Sequence, residues 1–231
     1  MEYNEDLELQ CLAGVPIMIN DDISIKPKVL REIMKMGYQK YSGIIGVILI
    51  DEKKAKQTVY QYLKTACNEN ENSRNIILAS LQYIFEVNMA VNNEGFAYVN
   101  KDDKFIPFSE ETFHEAIEII KMQHCIKEQK EEFNPGNERA RQLIAEIMKN
   151  RANAPKVKES ITLQSIISGV AWQSHIGINA VWDLTIYQLY DAYSRLQVID
   201  CYTNTLNGMY TGNIESSKIN LKDIFWAKAI K

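Results

Sequence analysis

Closely spaced cysteines are absent from this 231-residue sequence. The four cysteines, Cys11, Cys67, Cys125 and Cys201, lie far apart, and no two of them form a C-x-x-C pair. A secreted disulfide framework is usually denser in cysteine, and a structural zinc site needs clustered ligands. We therefore expect four reduced thiols in a reducing compartment, and no bound metal.

Long apolar runs are also missing. No run approaches the roughly 20 residues of a membrane-spanning helix, and the acidic start MEYNEDLELQ has neither the basic nor the apolar region of a signal peptide. A net charge of −4 does not favour broad binding to nucleic acid. With 46% hydrophobic and 24% charged residues, the composition is typical of a soluble, intracellular, folded protein without a membrane partner.

Patterns that carry catalysis are lacking as well. The glycine-containing segments 43–46 and 168–177 have neither a Walker lysine nor the G-x-G-x-x-G order of a dinucleotide loop. Adjacent carboxylates fall where loops or first helical turns are predicted, rather than in the unlike environments of an acid–base pair. The histidines, which lack companions at metal or triad spacing, are His114, His124 and His175. We predict no catalytic residue, no cofactor and no enzyme activity.

Helical periodicity dominates what is present. Thr185 and Gln188 have capping-box spacing, with Asp183 as a rival N-cap, and apolar residues follow at three- and four-residue steps as far as Tyr210. Segment 43–50 fits a strand or a helix, and we favour a helix. Further helices are predicted over residues 27–41, 51–65, 73–91, 109–128, 137–152 and 162–171, and a short one begins at Asn220.

Two segments predict β-structure. Residues 95–99 and 105–108 flank a polar loop, which is typical of a β-hairpin, and short β-branched runs within 15–25 indicate an N-terminal β arm. The fold class is therefore mostly α, a helical bundle with a small β-hairpin near 95–108. Pro135-Gly136 separates an N-terminal helical domain, 1–130, from a C-terminal helical region, 137–231, with packing into one continuous domain as the alternative.

Surface aromatic and basic side chains are the candidates for contact with another protein. Tyr187 and Tyr202 lie off the apolar stripe of the last long helix, where exposed tyrosines would anchor an interface. A basic segment at 139–158 suits an acidic protein partner better than nucleic acid, because it lacks interleaved aromatic residues. The predicted interaction residues are Tyr187, Tyr202, Arg139, Arg141, Trp172 and Trp182.

Two segments resemble a known family. Segment 17–49 holds a short β arm, a proline and the helix pattern EI-x-x-x-G-Y-x-x-Y, and segment 182–212 holds the helix WDLTIYQLYDAY. Both are similar to tail assembly chaperones, and to related tail or baseplate assembly proteins, from phages and prophages of Gram-positive bacteria. Together these packing motifs cover about a third of the chain.

The resemblance implies a non-enzymatic protein of the host bacterial cytoplasm. Such chaperones bind the long, aggregation-prone tape-measure protein and help tail-tube subunits to polymerise around it, so tail proteins are the expected partners and helix-in-groove contact the expected mode. A homo-oligomer, and a place in the virion, are compatible with this role. Two alternatives stay open: a small phage regulator or host-defence antagonist that binds nucleic acid or a host protein through segment 139–158, and an enzyme with an unfamiliar site near 172–183.

Overall fold

The described part of the chain comprises residues 5–50, 52–92, 94–100, 102–126, 161–215, 217 and 219–228 of a computed structural model. Within these ranges the protein is mostly helical with two small antiparallel sheets, which confirms the predicted fold class. The helices are α1 (Glu5–Ala13), α2 (Leu30–Met36), α3 (Tyr38–Gly46), α4 (Glu52–Ala55), α5 (Val59–Glu69), α6 (Glu71–Phe85), α7 (Glu110–Gln123), α8 (Leu163–Gln173), α9 (Ile178–Val181) and α10 (Ile186–Tyr210). The strands are β1 (Ile17–Met18), β2 (Ser24–Ile25), β3 (Met89–Val91), β4 (Phe96–Val99) and β5 (Phe105–Pro107).

The first core is built around Phe113 of α7, whose side chain is completely buried. Its ring stacks on Phe96 of β4 with centroids 5.8 Å apart, and it meets Tyr60 of α5 and Phe108 at 5.4 and 5.5 Å. Aromatic pairs at these distances stabilise a core beyond the area that they bury. This cluster joins α5, α6, α7 and the larger sheet into one hydrophobic unit.

Both predicted β segments are confirmed, and the larger sheet has a third strand. β1 pairs with β2, and β4 pairs with β5 across the loop at residues 100–104. β5 lies at the sheet edge, as Pro107 requires. The helix predicted over 73–91 is wrong at its end: Glu86 adopts a left-handed conformation (φ 55°), α6 stops at Phe85, and β3 pairs with β4 instead.

Two other predicted helices are each divided into two. Gly37 has a φ of 99°, which a side chain would strain, so the helix expected over 27–41 becomes α2 and α3. The helix expected over 51–65 becomes α4 and α5, because Thr58 starts a new helix by accepting a hydrogen bond from the Gln61 amide at 3.3 Å. Segment 43–50 is helical as far as Gly46.

A second core lies between α8, α9 and α10. It contains Ile166, Ile167 and Val170 of α8 together with Leu189 of α10, and Leu30 of α2 completes it. The backbone of α2 reaches the same region, since the Leu30 and Arg31 amides each donate at 2.8 Å to the carbonyls of Leu184 and Trp182.

The start of α10 follows the predicted capping box. Thr185 accepts from the Gln188 amide at 3.2 Å, and the Gln188 side chain accepts from the Thr185 amide at 2.8 Å. Asp183, the rival cap, binds Arg31 instead. Beyond Leu196 no apolar residue of α10 belongs to either core of the described part. The apolar face that continues as far as Tyr210 in the sequence therefore packs against a core only up to Leu196.

The remaining predictions concern the middle and the end of the chain. Residues 220–228 form turns, so the short helix predicted to begin at Asn220 is wrong. The predicted break at Pro135-Gly136 and the helix at 137–152 lie outside the described residues, and the division into two domains stays a prediction.

Candidate protein-interaction surface

The exposed side of α8 and of the link to α9 carries three large apolar side chains and no charged residue. α8 begins at Thr162, whose hydroxyl accepts from the Ser165 amide at 3.1 Å. The helix buries Ile166, Ile167 and Val170 against the second core, which directs Trp172 outward, and 74% of that side chain is exposed. Ile176 and Ile178 follow in the link and in α9, with 45% and 42% of their surface exposed. We call Trp172, Ile176 and Ile178 the α8–α9 surface.

Charge is missing from this whole region. Residues 161–182 contain no Asp, Glu, Lys or Arg. Protein interfaces are depleted of charged residues at their centres and enriched in tryptophan, and monomeric proteins seldom expose contiguous apolar patches larger than a few hundred Å². The α8–α9 surface therefore has the composition expected of a contact site for another apolar chain.

The chain turn beneath the surface is held by polar contacts. His175 and Gly177 both have positive φ, 61° and 80°, which reverses the chain after α8. Arg31 donates to the Asn179 carbonyl at 3.1 Å and binds the Asp183 carboxylate at 2.9 Å. The hydrogen bond from Arg31 lowers the pKa of Asp183, and the Gln173 amide binds Asp200 of α10. A partner would therefore meet apolar side chains on a pre-ordered support.

The other predicted interaction residues are less exposed. Trp182 is half-buried because it packs against the second core. Tyr187 is half-buried rather than exposed, because its face of α10 packs on the first core near α1, and burial followed by the charge of Glu8 raises its pKa to about 12. Tyr202 is half-buried and meets Phe225 edge-on. Arg139, Arg141 and the segment 139–158 lie outside the described residues.

Residues 153–231 match the family model described as YomV second domain. That family is associated with phages and prophages. The matched range covers about a third of the chain and includes the whole α8–α9 surface. No curated protein and no solved structure matches the chain. The similarity therefore links the C-terminal part of the chain to phages and to no particular step in a phage's life.

The interaction residues predicted from the sequence include Trp172 but not Ile176 or Ile178. The signal was available: the charge-free run at 161–182 stands out in a chain in which 24% of residues are charged. Helical spacing alone also places Trp172 off the stripe formed by Ile166, Ile167 and Val170.

Three features bear on a catalytic role: the environment of His175, possible groups of metal ligands, and an open groove. His175 is exposed, and no group of three or more His, Cys, Asp or Glu able to hold a metal occurs among the described residues. An open groove of about 510 Å³ lies between Asp22, Glu86 and Asn100, and its lining includes no His, Cys or Ser. None of the helices in the described ranges has the length and apolar content of a membrane span.

His124 is half-buried at the end of α7, and both of its ring nitrogens are hydrogen-bonded. Its Nδ1 lies 2.7 Å from the Ile120 carbonyl, which only accepts, so Nδ1 carries the proton. Nε2 then accepts from the Tyr41 hydroxyl at 2.7 Å. Burial lowers the pKa of His124, and burial also raises the pKa of Tyr41. His124 and Tyr41, both in their neutral forms, stabilise the first core through this hydrogen bond.

Acid is expected to destabilise the protein through His124. The folded state holds this imidazole neutral, whereas the unfolded chain binds a proton near its ordinary pKa of about 6.5. The contribution of His124 to the free energy of unfolding is therefore fully present above that pH. It decreases at lower pH by at most about 1.4 kcal/mol per pH unit for one proton. Urea unfolding at pH 7.5 and 5.5 measures the difference.

Matched variants isolate this contribution. His124→Gln should flatten the pH dependence between 7.5 and 5.5, whereas His114→Gln, which changes an exposed histidine of the same helix, should leave it unchanged. Equal slopes for the wild type and His124→Gln would show that another group controls acid stability.

Proposed function

We propose that the protein is a non-enzymatic phage assembly factor that binds a tail protein, the tape-measure protein or a tube subunit, through the α8–α9 surface. The observation that carries the proposal is an exposed, charge-free apolar surface inside the range that matches a phage-associated family. The resemblance of segments 17–49 and 182–212 to tail assembly proteins supports the choice of partner.

The chemistry of the surface favours an apolar helix as the partner. A tryptophan and two isoleucines along a short helix and its exit offer side chains that can pack into the stripe of an amphipathic helix. Burying the exposed part of Trp172, on the order of 100–150 Å², would contribute roughly 3 kcal/mol before the costs of association. Residues 161–182 themselves bring no charged side chain to the contact.

The tape-measure protein that the resemblance implies is long and prone to aggregate, as expected of a chain with exposed apolar segments. A protein with a pre-ordered apolar surface could cover such segments until tube subunits replace it. Binding would then be reversible, with an affinity set by a few aromatic and aliphatic contacts rather than by a large interface.

Co-expression tests the proposal. The tagged protein, produced together with the tail genes of its own phage or prophage, should co-purify with the tape-measure protein or a tube subunit. Capsid proteins expressed in the same way serve as the control and should not be retained. Recovery without any tail protein, at salt concentrations that preserve apolar contacts, would contradict the proposal.

A further inference from the structure

The last described residues fold back along α10. The turn after the helix is fixed by the Asn213 and Ile214 amides, which donate to the Gly208 carbonyl at 2.9 and 3.0 Å. Gly208 lets Ile214 approach closely, because a Cβ at this position would lie 2.6 Å from Cδ1 of Ile214, which would have to move. We call residues 219–228, whose backbone contacts Arg195, the tail.

One arginine holds the tail by its main chain. Nη1 of Arg195 donates to the carbonyls of Trp226 and Lys228 at 2.8 and 3.1 Å. Because both acceptors are backbone oxygens, this contact requires a segment with free carbonyls and specifies no side chain. Hydrogen bonds to a charged donor are stronger than neutral ones, so Arg195 is the main polar contact of the tail.

An aromatic pair joins the tail to α10, and Ile219, Leu221 and Ile224 of the tail are half-buried as well. Phe225 meets Tyr202 of α10 edge-on, with ring centroids 5.8 Å apart and planes at 84°. Trp226 lies against Phe225 at 5.7 Å. Both tail aromatics nonetheless keep more than two fifths of their surface exposed, 43% and 45%. Segments with few buried contacts open at a small fraction of the global unfolding free energy.

We propose that the tail is an exchangeable strap, and that the Arg195–Tyr202 face of α10 beneath it is a binding surface for short segments that combine an aromatic side chain with free main-chain carbonyls. In the isolated protein the chain's own tail occupies this face. A partner segment of the same chemistry binds when the tail leaves, so the tail sets the threshold for binding. This inference does not depend on which phage protein binds the α8–α9 surface.

A peptide that copies the tail tests the proposal on the full-length protein. A fluorescent peptide with the sequence of residues 219–228, INLKDIFWAK, is titrated with the wild type and with the double variant Phe225→Ala/Trp226→Ala. In the wild type the attached tail competes at an effective concentration of the order of millimolar. The double variant, whose own tail binds weakly, should bind the peptide at least tenfold more tightly than the wild type.

Two controls make the result specific. Adding Arg195→Ala to the double variant should remove peptide binding, and a peptide with Phe225→Ala should not bind either protein. Equal affinity for the wild type and the double variant, no binding to the double variant, or binding that ignores Arg195 would each overturn the proposal.

A second measurement needs no variant. Hydrogen exchange of the wild type should show the Lys228 amide, which donates to the Phe225 carbonyl at 3.0 Å, exchanging at least 100-fold faster than the Leu189 amide of the second core. Comparable protection at the two positions would show that the tail does not open independently of the fold.

Discussion

Replacing Phe113 with alanine is expected to lower the free energy of unfolding by about 3–5 kcal/mol. The side chain is completely buried, and its ring contacts aromatic rings from α5, α6, β4 and the residue after β5. Truncation leaves a cavity that four rigid rings cannot fill by small movements. Urea unfolding followed by circular dichroism measures the change.

Phe105 is the matched control, since it is the same residue type, lies on the edge strand β5 and is 67% exposed. Phe105→Ala should change the unfolding free energy by less than about 1 kcal/mol. Similar losses in the two variants would mean that the aromatic cluster around Phe113 is not the centre of the first core.

Replacing Trp172 with glutamate is expected to reduce the affinity for the phage tail protein by at least about 30-fold. This corresponds to the loss of about 2 kcal/mol or more of binding free energy that is typical of a central interface residue. The substitution removes the largest exposed apolar side chain of the α8–α9 surface and places a charge where residues 161–182 have none. A charge buried without a partner in an apolar contact is costly. Because Trp172 is 74% exposed, the unfolding free energy should change little. Pull-down of the co-expressed tail protein, followed by titration, measures the loss.

Ile76→Glu is the control for this prediction. Ile76 is an exposed apolar residue on α6, so the variant adds the same charge to a helix surface elsewhere. It should bind as the wild type does. If Trp172→Glu retained full binding, or if Ile76→Glu lost as much, the α8–α9 surface would not be the contact site.

Local signals in the sequence were sufficient where one or two side chains decide the structure. The capping box at Thr185 and Gln188 and the hairpin that joins β4 to β5 each depend on neighbours within a few positions. Local signals failed where a backbone conformation or a residue distant in the chain determines the structure of the segment. Glu86 carries no sequence signal for a left-handed conformation, and β3 is a strand because β4 pairs with it.

The same distinction applies to the candidate surface. The position of Trp172 opposite a buried stripe and the charge-free run were both available from the sequence. The burial of Tyr187 was not, because it results from packing on residues of the first core that are far away in the chain. Tyr202 was likewise expected to be exposed, and only the folded-back tail shows what covers it.

Photo-crosslinking at position 172 tests the central claim most directly. Trp172 is replaced with the photo-reactive amino acid benzoylphenylalanine, and the protein is irradiated during co-expression with the tail genes, with the same replacement at Ile76 as the reference. We predict a crosslink from position 172 to the tape-measure protein or a tube subunit and none from position 76. Crosslinking of tail proteins equally from both positions, or from neither, would contradict the account.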